Sequence, residues 1–339
     1  MATKNENSNI NTLGRGMDIG TMNLISARRD SDGTIKTKRM RDVFIDLPKN
    51  SKKMLRLSNT SFVEREDDVL ILGDAALETA NIFGQNPRRP LSQGIVSSSE
   101  MDSLEVLGIL IKNVLGDPLV PGEACYFSVP ASPIDVPGRD VIYHRNVFEK
   151  IIRECGYTPY AANEAMAIIY SETAKEQFSG IGISAGSGMI NVALAVNTIE
   201  GLTFSLARSG DWLDNSVASS LGMTPSRVCA IKESGVDLLN PVDRTQEALV
   251  FYYKDLINYT LDHIAAQFKK IEGQFALQKA IPIVISGGTS MAGGFLKLFT
   301  DEFEKRRKKF PIQISEIRSA QDPLNAVAFG LLIQAMQEE

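Results

Sequence analysis

The sequence predicts an α/β protein of two related domains, each a mixed sheet flanked by helices, closed on a cleft between them. Three glycine-dense turns carry that prediction. Two resemble hairpin tips: Gly16-Met-Asp-Ile-Gly-Thr-Met-Asn23 in the first half and Ile183-Ser-Ala-Gly-Ser-Gly-Met-Ile-Asn191 in the second, leading into the apolar runs Leu24 to Ala27 and Val192 to Val196. The third, Ile285-Ser-Gly-Gly-Thr-Ser-Met-Ala-Gly-Gly294, follows an apolar run and precedes the helix-like Phe295 to Phe303. Two similar hairpins in the two halves point to an internal duplication that grips one ligand from both sides. A strand ending in paired glycines lets main chain approach a planar base or a phosphate, and the next helix offers N–H groups to an anion. The same pattern also occurs at ordinary sheet-to-helix corners.

Taken in order, residues 1–15 are polar and rich in Asn, Ser and Thr, and are expected to form a disordered leader. The first domain is expected over 16–157 plus 318–339, opening with strands around Gly16 to Arg29. An excursion over about 34–77, carrying Val43-Phe-Ile-Asp-Leu47 and Val69-Leu-Ile-Leu72, reads as a small subdomain. From Met101 to Leu115, Leu104, Leu107, Leu110, Ile111, Val114 and Leu115 recur at helical spacing and mark a core-facing stripe. Tyr126-Phe-Ser-Val-Pro130 reads as a short buried strand ended by proline, and Val141 to Gly156 as a helix closed by its glycine. Asn163 to Gln177 reads as a helix leading into the second domain, expected over 158–317 with its own small subdomain at about 211–265. The C-terminal Asp322 to Met336 is expected to return to the first domain.

The chemistry these residue types support centres on phosphate. At the first hairpin Gly20 and Thr21 supply N–H and O–H donors, and Asp18 suits a hydrated magnesium ion. Asp-x-Gly also suits a plain hairpin turn.

The order of the motifs resembles the actin and sugar-kinase superfamily, and within it the bacterial actins of the MreB kind, over most of the chain. Asp18-Ile-Gly-Thr-Met-Asn23 is similar to that family's first phosphate loop, Asp-Leu-Gly-Thr-Ala-Asn, and Ile285-Ser-Gly-Gly-Thr-Ser-Met291 to its adenosine loop. Leu72-Gly-Asp-Ala-Ala76 and Asn86-Pro-Arg-Arg-Pro-Leu-Ser-Gln-Gly-Ile-Val96 resemble the MreB stretch from Gly-(Glu/Asp)-Glu-Ala to Arg-Pro-Leu-x-x-Gly-Val. Ser209-Gly-Asp-Trp-Leu-Asp214 resembles Gly-Gly-Asp-x-Phe-Asp, and Asp322-Pro-Leu-Asn-Ala-Val-Ala-Phe-Gly330 resembles Asp-Pro-Leu-x-x-Val-Ala-x-Gly. The resemblance implies two actin-like (ribonuclease H-like) domains with ATP or ADP and Mg2+ in the interdomain cleft. It assigns Gly20, Thr21, Met22 and Asn23 to one phosphate loop and Gly186, Ser187 and Gly188 to the other. Arg227-Val-Cys-Ala-Ile-Lys-Glu233 resembles the helix whose Ile-Lys-Glu flanks the base in actin, which puts Lys232 and Glu233 on one side of it and Gly287, Gly288, Thr289 and Met291 on the other. The Gly210-Asp211 turn is expected at the ribose or the cleft wall.

Catalysis is assigned by the same resemblance. Asn163-Glu-Ala-Met-Ala167 is similar to the bacterial Glu-Pro-Met-Ala-Ala helix, with Ala165 in place of Pro, so Glu164 is expected to orient the attacking water, and Asp18 to hold the metal. The second phosphate loop departs from Asp-x-Gly-x-Gly-(Thr/Val)-Thr-(Asp/Glu/His): Ser184 stands for the acid, Met189 and Ile190 for the hydroxyls, and Asn191 for the last acid or histidine. Loss of an acid there implies an ATPase with slow or conditional hydrolysis. The resemblance further implies head-to-tail self-association into cytoskeletal filaments, with cell-shape, segregation or organelle-positioning partners. The alternative within the superfamily is a non-polymerising ATP-binding adaptor of the cell-division or pilus-assembly type. Length close to a bare four-subdomain core argues against a chaperone ATPase, and a sugar or acetate kinase would need an acid and an insertion for its acceptor.

Composition bounds the alternatives. A net charge of −5 disfavours a general nucleic-acid binder, and 43% hydrophobic with 23% charged residues is ordinary for a globular chain. Cys125, Cys155 and Cys229 show no metal spacing and read as reduced thiols of a cytoplasmic protein. Two histidines, His144 and His263, leave little room for a histidine metal centre or a Ser/His/Asp triad. The leader has no apolar face for a membrane helix, so membrane contact is left to loops elsewhere. The basic run Lys305-Arg-Arg-Lys-Lys309 is expected to complement a helix C-terminus, and Trp212 to make a core or subdomain contact.

Overall fold

The computed structural model of the chain describes residues 12–338 apart from 84, 86, 98–99, 101, 139–140 and 274–278. Most of the leader, and Asn86 and Met101 of the motifs above, lie outside the described residues. The first sheet opens with β1 (Arg15–Ile19), β2 (Asn23–Arg29) and β3 (Ile35–Arg41). Arg15, the last residue of the expected leader, is already strand: its buried guanidinium pairs with Glu123 at 2.8 Å, which also accepts from the Gly14 N–H.

The excursion forms a three-stranded antiparallel sheet from β4 (Phe44–Pro48), β5 (Val63–Glu64) and β6 (Asp68–Leu72), with α1 (Lys52–Leu57) and α2 (Asp74–Phe83). Val43, Ile45, Leu47, Leu55, Val69 and Ile71 close a small core of their own. β3, expected within the excursion, instead pairs with β2 and belongs to the large sheet. A short hairpin, β7 (Leu91–Ser92) and β8 (Ile95–Val96), leads to α3 (Ser103–Leu115). The predicted α3 stripe is buried from Leu107 to Leu115, joined by Val106, whereas Leu104 stands on the first turn and is exposed.

β9 (Ala124–Val129), α4 (Ile142–Glu154) and β10 (Thr158–Asn163) complete the first sheet, in the order β10-β9-β1-β2-β3. β10 pairs with β9 along its whole length, so this sheet continues past the expected boundary at 157 to Asn163. There α5 (Glu164–Glu172) begins, capped by the Asn163 side chain, which accepts from the Ala165 and Met166 N–H groups.

The second half repeats the pattern. β11 (Gly180–Ala185), β12 (Ile190–Val196) and β13 (Ile199–Leu206) form an antiparallel meander, and after α6 (Gly210–Leu221), α7 (Pro225–Glu233) and α8 (Arg244–Lys270) come β14 (Ile281–Ser286), α9 (Phe295–Glu304), β15 (Ile314–Ser319) and α10 (Ala326–Ala335). The order β13-β12-β11-β14-β15, with β14 and β15 parallel to β11, matches the first sheet strand for strand. β15 therefore keeps Arg318 and Ser319 in the second sheet, beyond the expected return at 318. The crossing helices then exchange sides: α5 packs Ala165, Met166 and Ile169 on Ala193 and Ala195 of the second sheet, and α10 packs Ala328 and Leu332 on Ile25 and Ala27 of the first.

The larger cores sit between these sheets and the helices on their other faces. Trp212 lies against the second core, edge-on to Tyr252, with the Arg208 guanidinium 3.6 Å from its ring centroid. In the basic run, Lys305, Arg306 and Arg307 pair with Glu302, Asp262 and Glu304 on the helical surface. The three cysteines are free thiols. Among the described residues no helix is long and apolar enough to cross a membrane.

His144 of α4 is buried edge-on to Phe148, its Nδ1 accepting from the Val96 N–H, and burial pushes its pKa down to about 3. An imidazole that stays neutral when folded but takes a proton near 6.5 when unfolded costs stability as pH falls below that value. Between pH 7 and pH 5 the loss is about 2 kcal/mol. Asp42 and Asp214, whose buried carboxyls are raised, act in the opposite direction. Urea unfolding of wild type and His144→Gln at the two pH values isolates the histidine contribution, which should appear as a pH-dependent difference of that size.

Candidate functional site

Two opposed hairpin tips form the floor of the cleft. In the first, the Gly20 N–H donates to the Asn23 carbonyl at 3.0 Å, and in the second the Gly186 N–H donates to the Met189 carbonyl at the same distance. Thr21 and Met22 thus occupy the positions of Ser187 and Gly188. The tips touch: a Cβ on Gly188 would lie 2.1 Å from Thr21 Oγ1 and 2.3 Å from the Gly94 nitrogen, so only glycine admits this approach. Gly94, in the turn between β7 and β8, donates its N–H to Thr21 Oγ1.

Below the tips stand two carboxylates. Asp18, on β1, accepts from Ser128 Oγ at 3.0 Å, and the same oxygen accepts from the Ile19 N–H. Burial pushes Asp18 up to about 6 against that hydrogen bond. Glu164, at the first turn of α5, is pushed up to about 8, first by burial and then by the charge of Asp18, with hydrogen bonds from Ser184 and Asn191 opposing. Its Oε2 accepts from Asn191 Nδ2 at 2.7 Å and from Ser184 Oγ at 3.3 Å.

The second tip is held from behind. Thr289 Oγ1 and the Gly210 N–H both donate to the Gly186 carbonyl, and the Asp211 N–H and Ser209 Oγ donate to that of Ser187. The Ser187 hydroxyl, expected as a phosphate donor, donates to Asp211 Oδ1 at 2.6 Å, and Arg89 pairs with the same carboxylate across the cleft at 3.0 Å. Asp211 therefore braces the second tip from behind, and neither it nor Gly210 lines the cavity, contrary to the expected place of this turn.

The third turn closes one end. Gly287 leaves β14 at φ +97°, where a Cβ would meet the Ala185 carbonyl at 2.4 Å, while a Cβ on Gly288 would meet nothing within 4 Å. Main chain is therefore bare toward the cleft at Gly288. Tyr253 steadies the turn by donating to the Thr289 carbonyl, and Met291 is exposed at its rim. Facing it on α7, Lys232 pairs with buried Asp214 at 2.7 Å, and Glu233 accepts two parallel bonds from Arg41 of β3 at 2.8 and 2.7 Å.

These walls enclose a cavity of about 490 Å³, within the range of small-molecule sites. The residues expected to hold nucleotide, metal and the attacking water line it: Asp18, Gly20, Thr21, Met22 and Asn23 from the first hairpin, Gly186, Ser187 and Gly188 from the second, with Glu164, Lys232, Glu233, Gly287, Gly288, Thr289 and Met291. Sequence reasoning missed the roles of Ser128, Asp214, Arg41 and Tyr253. For Ser128 a signal existed, a lone hydroxyl within a short apolar strand. The other three act through contacts far apart in sequence. Among the described residues no group of three His, Cys, Asp or Glu could hold a metal. A magnesium ion, which is commonly bound through one or two carboxylates plus substrate phosphates, needs no such group, and the half-buried, singly hydrogen-bonded Asp18 carboxylate, which lines the cavity, fits one.

Comparison with known proteins agrees with this architecture. No curated protein shows significant similarity to the chain. Among solved structures, a double helical filament of MamK superposes with a TM-score of 0.73 at 20% identity, over 96% of this chain and 99% of that one. MreB 5 of Spiroplasma citri bound to AMPPNP gives 0.65 at 13% identity, over 94% of each chain. The ethanolamine utilization protein EutJ from Carboxydothermus hydrogenoformans gives 0.56 at 14%, over 95% and 89%. At such identities the likeness is one of fold, an actin-like pair of mixed α/β domains. The Volactin family profile matches residues 13–335, nearly the whole chain, and the protein belongs to that family.

Proposed function

We propose that this chain binds ATP with magnesium between its two halves, hydrolyses it slowly, and assembles head to tail into filaments as a cytoplasmic cytoskeletal protein. The observation that carries this is the convergence of both hairpin tips, both carboxylates and the bare Gly288 turn on one cavity. The hairpin N–H groups suit the phosphates, and the space between Lys232–Glu233 and Gly288–Met291 suits the adenosine. Asp18 would hold the magnesium ion, which when bound neutralises phosphate charge. Glu164 accepts a proton from water as the water oxygen bonds to the terminal phosphorus and the bond to the bridging oxygen breaks, giving ADP and phosphate. A group poised near neutrality is suited to that transfer. The structural likeness to a MamK filament and to AMPPNP-bound MreB 5 supports assembly and nucleotide binding.

Sedimentation and light scattering with ATP, AMPPNP, ADP or no nucleotide, followed by negative-stain microscopy, test the proposal. Filaments are expected with ATP or AMPPNP and fewer with ADP. AMPPNP at about 100 times its Kd should stabilise the fold by about 2.7 kcal/mol. A monomer stabilised by ATP that never pellets would support the adaptor alternative, and no stabilisation by any nucleotide would sink both.

A further inference from the structure

We propose that Asn191 and Ser184 are positioning residues for Glu164, so that the polar pair standing where acids were expected is a built support for the general base. Ser184, Asn191 and Ser205 are direct cross-strand partners on β11, β12 and β13, a row of three polar side chains across the sheet. All three are buried. Ser205 Oγ donates to Asn191 Oδ1, which fixes the amide so that its Nδ2 points at Glu164 Oε2, where Ser184 Oγ is the second donor. The row is anchored from the first domain, since the Ser205 carbonyl accepts from the Ile134 N–H at 3.0 Å.

Two donors on one carboxylate oxygen fix the rotamer and favour the charged form beside Asp18, which would otherwise repel it. Glu164 Oε1 takes no donor among the described residues, and the side chain lines the cavity. An acid at 184 or 191 would replace a donor by a third negative charge next to Asp18 and Glu164. The geometry thus reverses the sign inferred from the resemblance: restoring an acid at 184 slows hydrolysis.

The inference rests on the reading of Glu164 as the base for ATP hydrolysis, and the test separates the two. Single-turnover phosphate release and AMPPNP affinity are measured on the full chain for wild type, Asn191→Ala, Ser184→Asp, Glu164→Gln and the Asn191→Ala/Glu164→Gln double variant. Losing a hydrogen bond to a charged group should slow hydrolysis by about 10- to 100-fold in Asn191→Ala, with AMPPNP affinity within about threefold of wild type. The double variant should be no slower than Glu164→Gln alone, because the amide acts through the carboxylate. Ser184→Asp should be slower than wild type. Should Asn191→Ala fail to fold, Ser205→Ala removes the amide's orientation and carries the same cycle. Multiplying effects in the double variant, a faster Ser184→Asp, or a wild type no faster than Glu164→Gln overturns the inference while leaving nucleotide binding intact. No AMPPNP binding by wild type would remove the nucleotide reading and the inference together.

Discussion

Glu164→Gln is expected to slow ATP hydrolysis by about 10²- to 10⁴-fold, the usual contribution of a positioned general base, with little change in AMPPNP affinity. The variant is nearly isosteric, and its amide oxygen can still accept from Asn191 and Ser184, so the cleft floor and the Asn163 cap of α5 should persist. What is lost is the ability to take a proton. Asp18→Asn provides the contrast: it removes the charge that suits magnesium, so it should weaken magnesium-dependent nucleotide binding as well as hydrolysis. Phosphate release and calorimetric titration of both variants check the pair. Hydrolysis at the wild-type rate in Glu164→Gln would remove this residue from the reaction and leave Asp18 as the carboxylate to examine.

The site was legible in sequence where function constrains the main chain. Gly188 and Gly287 are required by approaches of 2.1 and 2.4 Å that no side chain could allow, and such positions leave glycine in the sequence whatever surrounds them. Glu164 was visible only through its neighbours in a known pattern. Boundaries were less legible because edge strands carry little periodic signal: β10, Thr-Pro-Tyr-Ala-Ala-Asn, has neither apolar alternation nor a turn before its helix, and its membership of the first sheet comes from pairing with β9. The cleft-spanning pair Arg41–Glu233 joins residues 192 apart, a distance at which no local pattern operates. Ser184 shows the remaining limit. In sequence it is a missing acid, whereas in the fold it is a donor to Glu164, and the difference depends on a helix that starts 20 residues earlier.

The largest effect on stability is expected from Gly330→Ala. A Cβ at Gly330 would lie 1.8 Å from the Ala167 carbonyl oxygen, at the crossing of α10 and α5. No rotamer change relieves that overlap, because the obstacle is backbone, so the two helices must part by more than an ångström. Neither helix is free to move. The Ala165 carbonyl of α5 sits where a Cβ on Gly182 of β11 would lie at 2.2 Å, and the Ala328 carbonyl of α10 stands in the same relation to Gly16 of β1. Each helix is therefore seated by main chain on one sheet and by main chain on its partner helix, and the three contacts form a single seam through the centre of the molecule. Overpacking of a seam without slack should cost about 3 kcal/mol or more, a fall in thermal midpoint on the order of 10 °C, or no soluble protein. Gly108, in α3 with nothing within 4 Å of its Cβ position, is the matched control: Gly108→Ala should stabilise by about 0.5–1 kcal/mol through helix propensity alone. The same seam joins the halves of the cleft, since Glu164 heads α5 while Asp18 lies two residues beyond Gly16 on the strand that α10 covers. A variant that survives Gly330→Ala should thus also bind AMPPNP more weakly, because parting the helices changes the spacing of the two hairpin tips. Normal stability and normal affinity in that variant would show that the helices can slide, and that the seam does not set the spacing of the cleft.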